Sequence, residues 1–270
     1  MEIISEIGIN HNGSLDNAYA LIDSAMMAGA DIVKFQLRNL EALYRQNDKG
    51  EDLGVEYTQG LISKYNFNVD QMVAVKEYCD QVGMAFLCTP FDNVSLQKLL
   101  SMSVTGLKIS SSDLTNTSFL LDVFKSGVPF LLSTGMSTSD EVVHVAELMK
   151  KHSANCLMMH CNSTYPTPFK DVHLNYIPEL KKITGRDFLG YSGHERGIHI
   201  PLASIAMGVR VIEKHFTLDK SLEGNDHIVS LTPSEMLELT TLARDVFESL
   251  GSENTNRAMT QGEMIKAIKI

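Results

Sequence analysis

Eight short apolar runs recur along this chain, and an amphipathic helical stretch follows each. The runs cover residues 3–9, 32–36, 85–89, 106–109, 129–133, 156–160, 188–192 and 209–215. The helical patterns cover 15–28, 69–82, 95–100, 118–125, 139–151, 174–182, 200–206 and 234–250. Strands that are apolar almost throughout, rather than alternating, are buried on both faces, as in a parallel sheet covered by its crossover helices. Eight such cycles in 270 residues predict an α/β fold of one domain, a closed (β/α)8 TIM barrel, for which about 250 residues is typical. The competing open doubly wound sheet usually carries a G-x-G-x-x-G turn after its first strand, and Gly8-Ile-Asn-His-Asn-Gly13 lacks that spacing. The barrel is expected over residues 1–250, with a tail over 251–270. Two segments break the rhythm, 38–68 with the charged run Asp48-Lys-Gly-Glu-Asp52, and 217–231. In a barrel both fall on the face where long loops form lids or substrate walls.

Composition removes several functional classes. A hydrophobic fraction of 44% with no long apolar run fits a soluble globular chain and no membrane span. The opening Met1-Glu2-Ile3-Ile4 is too short and too acidic for a signal peptide, so cytoplasmic residence is expected. Cys79, Cys88, Cys156 and Cys161 form no Cys-x-x-Cys pair and read as buried thiols in a reducing compartment. A formal charge of −10 argues against a nucleic-acid partner. A small anionic substrate needs only a few local cations.

The strand ends are polar where the strands are apolar. Around the barrel they are Glu6, Lys34, Gln36, Thr89, Lys108, Ser111, Ser133, His160, Ser163, Ser192, His194 and His215. The carboxyl ends of parallel strands are where such folds place chemistry. A lysine buried among apolar residues is costly unless it meets an anion. Lys34 and Lys108 therefore point to a phosphate or carboxylate pocket, with Thr89, Ser111, Ser133 and Ser192 as hydroxyl donors. Schiff-base chemistry is the rival use of such a lysine.

His194, in Tyr191-Ser-Gly-His194, and His215 close consecutive strands. They are either packed histidines or two ligands of one ion. Two protein ligands leave positions open, which suits a hydrated Mn²⁺ or Mg²⁺ better than a closed structural zinc. Glu6 is a third ligand or a general base. Glu213 is read as pointing away from the His215 side, a supporting residue. His11, His144, His152, His173, His199 and His227 lack this placement and are taken as structural or surface residues.

Eight motifs, in order and over nearly the whole chain, resemble the sialic acid synthase family. They are Glu6-Ile-Gly-Ile-Asn-His-Asn-Gly13, Ala28-Gly-Ala-Asp-Ile-Val-Lys34-Phe-Gln36, Thr89-Pro-Phe-Asp92, Lys108-Ile-Ser-Ser-Ser-Asp113, Leu132-Ser-Thr-Gly-Met136, His160-Cys-Asn-Ser-Thr-Tyr-Pro-Thr-Pro168, Tyr191-Ser-Gly-His194 and Glu213-Lys-His-Phe-Thr217. The resemblance implies a TIM barrel that condenses phosphoenolpyruvate with an N-acyl hexosamine such as N-acetylmannosamine, yielding a nine-carbon 2-keto sugar acid and phosphate with Mn²⁺ or Mg²⁺. It implies that His194 and His215 hold the metal and that Glu6 is the catalytic carboxylate, with Lys34 and Lys108 acting on phosphoenolpyruvate. Thr89, Ser111, Asp113, Ser133, Ser163 and Ser192 become further substrate contacts, and Gln36, Tyr165 and Asp226 face the sugar.

Members of that family also carry a segment before the first strand and a C-terminal antifreeze-like domain. In a swapped homodimer that domain places an arginine on the N-acyl group. This sequence opens on strand one and ends at Ile270, shortly after Thr260-Gln-Gly-Glu263, so that arginine is not expected within it. The partners expected are phosphoenolpyruvate, an amino sugar and a second copy of the chain. The alternatives are a related synthase using another aldose, which needs an added phosphate pocket, and a catalytically silent sugar-binding barrel.

Overall fold

The computed structural model describes residues 1–41 and 60–251, together with Met264. Eight parallel strands alternate with helices in it. They are β1 (Glu2–Gly8), β2 (Ile32–Leu37), β3 (Ala85–Pro90), β4 (Leu107–Ile109), β5 (Phe130–Ser133), β6 (Cys156–Cys161), β7 (Leu189–Gly193) and β8 (Val209–His215). The helices between and after them include α1 (Leu15–Met27), α2 (Val69–Val82), α3 (Asn93–Ser101), α4 (Thr117–Ser126), α5 (Ser139–Lys151), α6 (Tyr176–Thr184), α7 (His199–Ile205) and α8 (Pro233–Ser249). Hydrogen bonds join the strands in the order β3-β2-β1-β8-β7-β6-β5-β4. The two ends of that order, β3 and β4, pack side by side, so the sheet closes on itself. The (β/α)8 barrel predicted from the apolar runs is the fold of the chain.

Local chemistry sets the helix ends. In α2, Asn68 accepts from Gln71 N (2.9 Å) while Gln71 Oε1 accepts from Asn68 N (3.1 Å), a reciprocal capping box. Asp92 accepts from Ser95 N at 2.8 Å, which starts α3 at Asn93, two residues before the apolar period alone indicated. Along α1 the buried residues are Ala18, Leu21, Ile22 and Ala25, the i, i+3, i+4, i+7 stripe of a helix lying on a core.

The inward-facing residues of the strands change character along the barrel axis. At the amino-terminal mouth they include Ile32, Leu87, Leu131, Leu157 and Val211. Two residues further along their strands stand Lys34, Thr89, Ser133 and Glu213, at the opposite mouth. A half-exposed apolar layer at one mouth is therefore followed, one turn of the strand period on, by a charged floor at the other.

The expected loops fall at the polar mouth. Segment 217–231 leaves β8 and returns to it, with Leu231 N donating to His215 O (2.7 Å) and Thr217 N to Leu231 O (3.0 Å). Of segment 38–68, residues 60–65 are helical and Leu61 and Ile62 reach the mouth. The charged run Asp48–Asp52 lies outside the described residues, as does the tail expected over 251–270 apart from Gly251 and Met264.

Candidate active site

A cavity of about 430 Å³ opens at the carboxyl ends of the strands. On its floor two lysines and two glutamates form a buried cluster. Lys34 Nζ lies 3.1 Å from Glu6 Oε2 and 3.4 Å from Glu213 Oε1, and Lys108 Nζ lies 3.2 Å from that same Glu213 oxygen. Lys34 also donates to Thr89 Oγ1 (3.3 Å), Ser192 Oγ to Glu213 Oε1 (3.0 Å) and Gln36 Nε2 to Glu6 Oε1 (2.6 Å). The four charged side chains are at most 4% exposed.

Burial sets the protonation of these groups as much as pairing does. It disfavours the charge on Glu6, and with the repulsion of Glu213 it outweighs Lys34, so the Glu6 carboxyl is raised above the ordinary range. Burial also works against Glu213, yet Lys108 and Lys34 together hold it well below that range. Lys34 is raised, because Glu213 and Glu6 more than offset its burial, whereas Lys108 is lowered, its burial only partly offset by Glu213. The two carboxylates of the floor are thus shifted in opposite directions.

Around the floor stand the hydroxyls. Ser111 Oγ accepts from Gly135 N at 2.9 Å. Ser133 Oγ, buried in the wall, makes no hydrogen bond among the described residues. Ser163 lines the same wall. A Cβ added at Gly135 would meet Ser163 Oγ at 2.7 Å, Cys161 Sγ at 2.9 Å and Ser111 Oγ at 3.0 Å, so only glycine lets these groups converge.

His194 and His215 face each other with ring centroids 5.4 Å apart. An imidazole nitrogen about 2.1–2.2 Å from an ion puts its ring centroid about 3.3 Å away, so two such rings stand about 4.7 Å apart at the 90° of a regular octahedral site and about 5.4 Å apart at an angle near 110°. The observed spacing fits one shared ion. His194 Nδ1 lies 2.6 Å from the Asn162 carbonyl, which can only accept, so Nδ1 carries a proton and Nε2 is the nitrogen that holds the lone pair in the neutral ring. The Tyr165 hydroxyl lies 2.7 Å from that Nε2, on the cavity side. His215 Nδ1 makes no hydrogen bond among the described residues, and Asp226 Oδ2 is 3.7 Å from it. No third His, Cys, Asp or Glu among the described residues joins them to form a metal-holding group. An ion here would keep several positions for other oxygens.

Glu6, Lys34, Gln36, Thr89, Lys108, Ser111, Ser133, Ser163, Tyr165, Ser192, His194, His215 and Asp226 all line this one cavity. Three expectations need correction. Glu213 does not point away from His215. Residues two apart on a strand share a face, and Glu213 lies on the cavity floor beside it. His160 faces outward, its Nε2 2.6 Å from Val172 O and its ring between Tyr176 and Tyr191, and the next residue, Cys161, takes the cavity side. Asp113 sits on a short 3₁₀ turn, where its Oδ1 accepts from Asn116 Nδ2 (3.2 Å), and does not reach the cavity lining. Arg38 and Asn225 line the cavity without having been singled out in the sequence. Arg38 donates to Gln36 Oε1 (2.6 Å) and lies 3.8 Å over the Phe91 ring.

The fold and the cavity define the class first, a (β/α)8 barrel protein with a charged cavity at the carboxyl ends of its strands. The NeuB family model matches residues 21–255, and the chain belongs to the NeuB family. It is 37% identical to the N-acetylneuraminate-9-phosphate synthase of Homo sapiens over 256 residues, which cover 93% of this chain and 71% of that protein. It is 34% identical to the N,N'-diacetyllegionaminic acid synthase of Campylobacter jejuni over 279 residues, covering 99% of this chain and 82% of that one. Among solved structures it resembles the N-acetylneuraminic acid (sialic acid) synthetase of Leptospira borgpetersenii, in complex with citrate, with a TM-score of 0.88 and 32% identity, covering 99% of this chain and 90% of the other.

Proposed function

We propose that the protein condenses phosphoenolpyruvate with an N-acyl hexosamine of the N-acetylmannosamine type, giving a nonulosonic acid and inorganic phosphate. The observation that carries this reading is the floor of the cavity, where Lys34 and Lys108 share Glu213 within 3.4 Å beside the raised carboxyl of Glu6. Relatives named as N-acetylneuraminate-9-phosphate, diacetyllegionaminic acid and pseudaminic acid synthases support the same chemistry.

Lys34 and Lys108 bind the carboxylate and phosphate of phosphoenolpyruvate, and the hydroxyls of Thr89, Ser111, Ser133, Ser163 and Ser192 complete its anion contacts. The formal charges of Lys34, Lys108, Glu6 and Glu213 sum to zero, so this floor alone leaves a polyanionic substrate uncompensated. His194 and His215, 5.4 Å apart, fit a divalent ion, Mn²⁺ or Mg²⁺, whose contribution when bound is charge compensation and Lewis-acid polarisation of the sugar aldehyde. Gln36, Tyr165 and Asp226 orient the open-chain sugar so that its aldehyde carbon meets C3 of phosphoenolpyruvate.

Bond formation from C3 leaves C2 electron-deficient. Water adds there, and Glu6, its carboxylate available as base, takes the proton. The aldehyde oxygen, left as an alkoxide by the new C–C bond, takes up that proton, and the tetrahedral centre collapses as the C2–O bond to phosphate breaks and the C2 hydroxyl gives its proton to the departing phosphate, leaving a ketone and inorganic phosphate. Gln36 holds Glu6 Oε1 at 2.6 Å, which aims the carboxyl into the cavity.

The test is phosphate release with phosphoenolpyruvate, Mn²⁺ and a panel of N-acyl hexosamines, their 6-phosphates and simple aldose phosphates. Release with an N-acyl hexosamine, lost in H215A, is the expected result. Absence of release with every sugar sinks the synthase reading, and release with a simple aldose phosphate alone moves the substrate to that class.

A further inference from the structure

Behind the two imidazoles, on the outer face of the same strand ends, lies a second buried charge cluster. Lys214 Nζ donates to the backbone oxygen of Glu195 and lies 3.1 Å from its Oε1, and Tyr191 donates its hydroxyl to Glu195 Oε2 at 2.7 Å. Tyr191 and Glu195 are 1% exposed and Lys214 is 0% exposed, and none of the three lines the cavity.

Their positions in the chain give the cluster its meaning. Glu195 directly follows His194 and Lys214 directly precedes His215. Side chains on these segments alternate: Ser192, His194, Glu213 and His215 face the cavity, while Tyr191, Glu195 and Lys214 face away from it. The ladder between β7 and β8 pairs Gly193 with Lys214 and ends there, so His194 lies just past the last paired residue of its strand. The sheet itself does not fix the distance between the imidazoles. The Lys214 bond to the Glu195 carbonyl and that of Thr167 N to His194 O at 3.1 Å hold the two consecutive carbonyls that follow the His194 Cα. Gly193 leaves the room this requires, because a Cβ there would lie 2.6 and 2.8 Å from the Glu195 carboxylate oxygens and 2.7 Å from Tyr191 Cε1.

A buried ion pair contributes little net stability relative to an apolar packing of the same volume. Its better-attested use is to hold one geometry among several. We infer that Lys214, Glu195 and Tyr191 are positioning residues that set the separation of His194 and His215, and through it the affinity of the site for a divalent cation. This rests on the reading that the two imidazoles share one ion.

The experiment titrates Mn²⁺ into the metal-stripped full chain and reads free Mn²⁺ by electron paramagnetic resonance, comparing wild type, H215A, K214M, E195Q and Y191F, with folding followed by circular dichroism. Wild type is expected to bind one ion and H215A to lose it. K214M and E195Q are expected to bind about ten-fold more weakly or worse while folded, the scale seen when residues supporting metal ligands are changed. Y191F removes one hydroxyl and leaves the ion pair, so it remains informative if the other two fail to fold, with a smaller loss in the same direction. Folded variants whose Mn²⁺ affinity stays within about two-fold of wild type, whatever their melting temperature, overturn the inference and leave the ion reading standing. Wild type that binds no Mn²⁺, or H215A that binds it as wild type does, overturns both.

Discussion

A single carboxylate oxygen, Glu213 Oε1, meets both buried ammonium groups and the Ser192 hydroxyl, at 3.4, 3.2 and 3.0 Å. Replacing it with a neutral group leaves Lys34 and Lys108 facing each other without their shared anion. E213Q is therefore expected to lose about 3 kcal/mol of folding stability in urea titrations, the scale for removing one partner of a buried pair. It is also expected to lose about 10²-fold in kcat/KM for phosphoenolpyruvate as the lysines move. Stability within experimental error of wild type would show that the lysines find other partners. Gly135 is a sharper probe of the anion wall. The contacts of 2.7–3.0 Å that a Cβ would make with Ser163, Cys161 and Ser111 displace hydroxyls proposed to hold phosphoenolpyruvate. G135A is expected to raise KM for phosphoenolpyruvate by about ten-fold, near 1.4 kcal/mol of binding, with KM for the sugar unchanged. An equal rise in both would place Gly135 outside the phosphoenolpyruvate half. At this scale the sequence showed residue types better than directions. Polar residues closing apolar strands revealed Glu6, Lys34, Lys108 and the histidines, because burial makes such residues costly without a purpose. Glu213, His160 and Arg38, which stands one residue past β2 on the parity of Lys34 and Gln36, were misplaced or missed for want of the two-residue period, and Asn225 had no local signal because a loop path brings it in.

The segment after β1 packs onto the end of segment 60–68, in part through one ring. His11 is 1% exposed and stacks on Phe67 with centroids 3.7 Å apart, while its Nδ1 accepts from Gly13 N at 3.1 Å. Burial pushes the imidazole down to about 3, from 6.5 in the unfolded chain. The folded state therefore binds fewer protons than the unfolded state between those values, and stability falls as pH drops through that window. The contribution is fully present above about pH 6.5, and its loss steepens toward about 1.4 kcal/mol per pH unit below it. H11F keeps a ring on Phe67 and removes the titration. Urea unfolding at several values between pH 5 and 7 should give a shallower dependence for H11F than for wild type, even though the lost bond from Gly13 lowers its stability overall. Parallel dependences would mean that His11 becomes charged without loss of the fold. Element boundaries were legible to within a residue or two, and at the start of α3 the cap from Asp92 accounts for the difference.

At the scale of the whole molecule, the barrel was legible because parallel strands covered on both faces appear in sequence as continuous apolar runs with helices between them. Its closure rests on ladders from β3 round to β4 and on the buried apolar core around the strands, all of it protein. The imidazole pair lies on the cavity wall, outside that core. Removing divalent cations should therefore leave a cooperatively folded chain, unlike a small domain whose fold depends on its metal. Binding to the folded state alone still raises stability by mass action, about 2.7 kcal/mol at a free-ion concentration 100 times Kd. For a chain of this size that corresponds to about 5–10 °C in Tm. Differential scanning calorimetry of chelator-treated protein should show one cooperative transition that rises on adding Mn²⁺. H215A should keep the transition and lose the rise, which separates an ion at the imidazoles from ions bound elsewhere. A chelated protein without a cooperative transition would move the metal from the chemistry to the fold, and an equal rise in H215A would remove it from this pair.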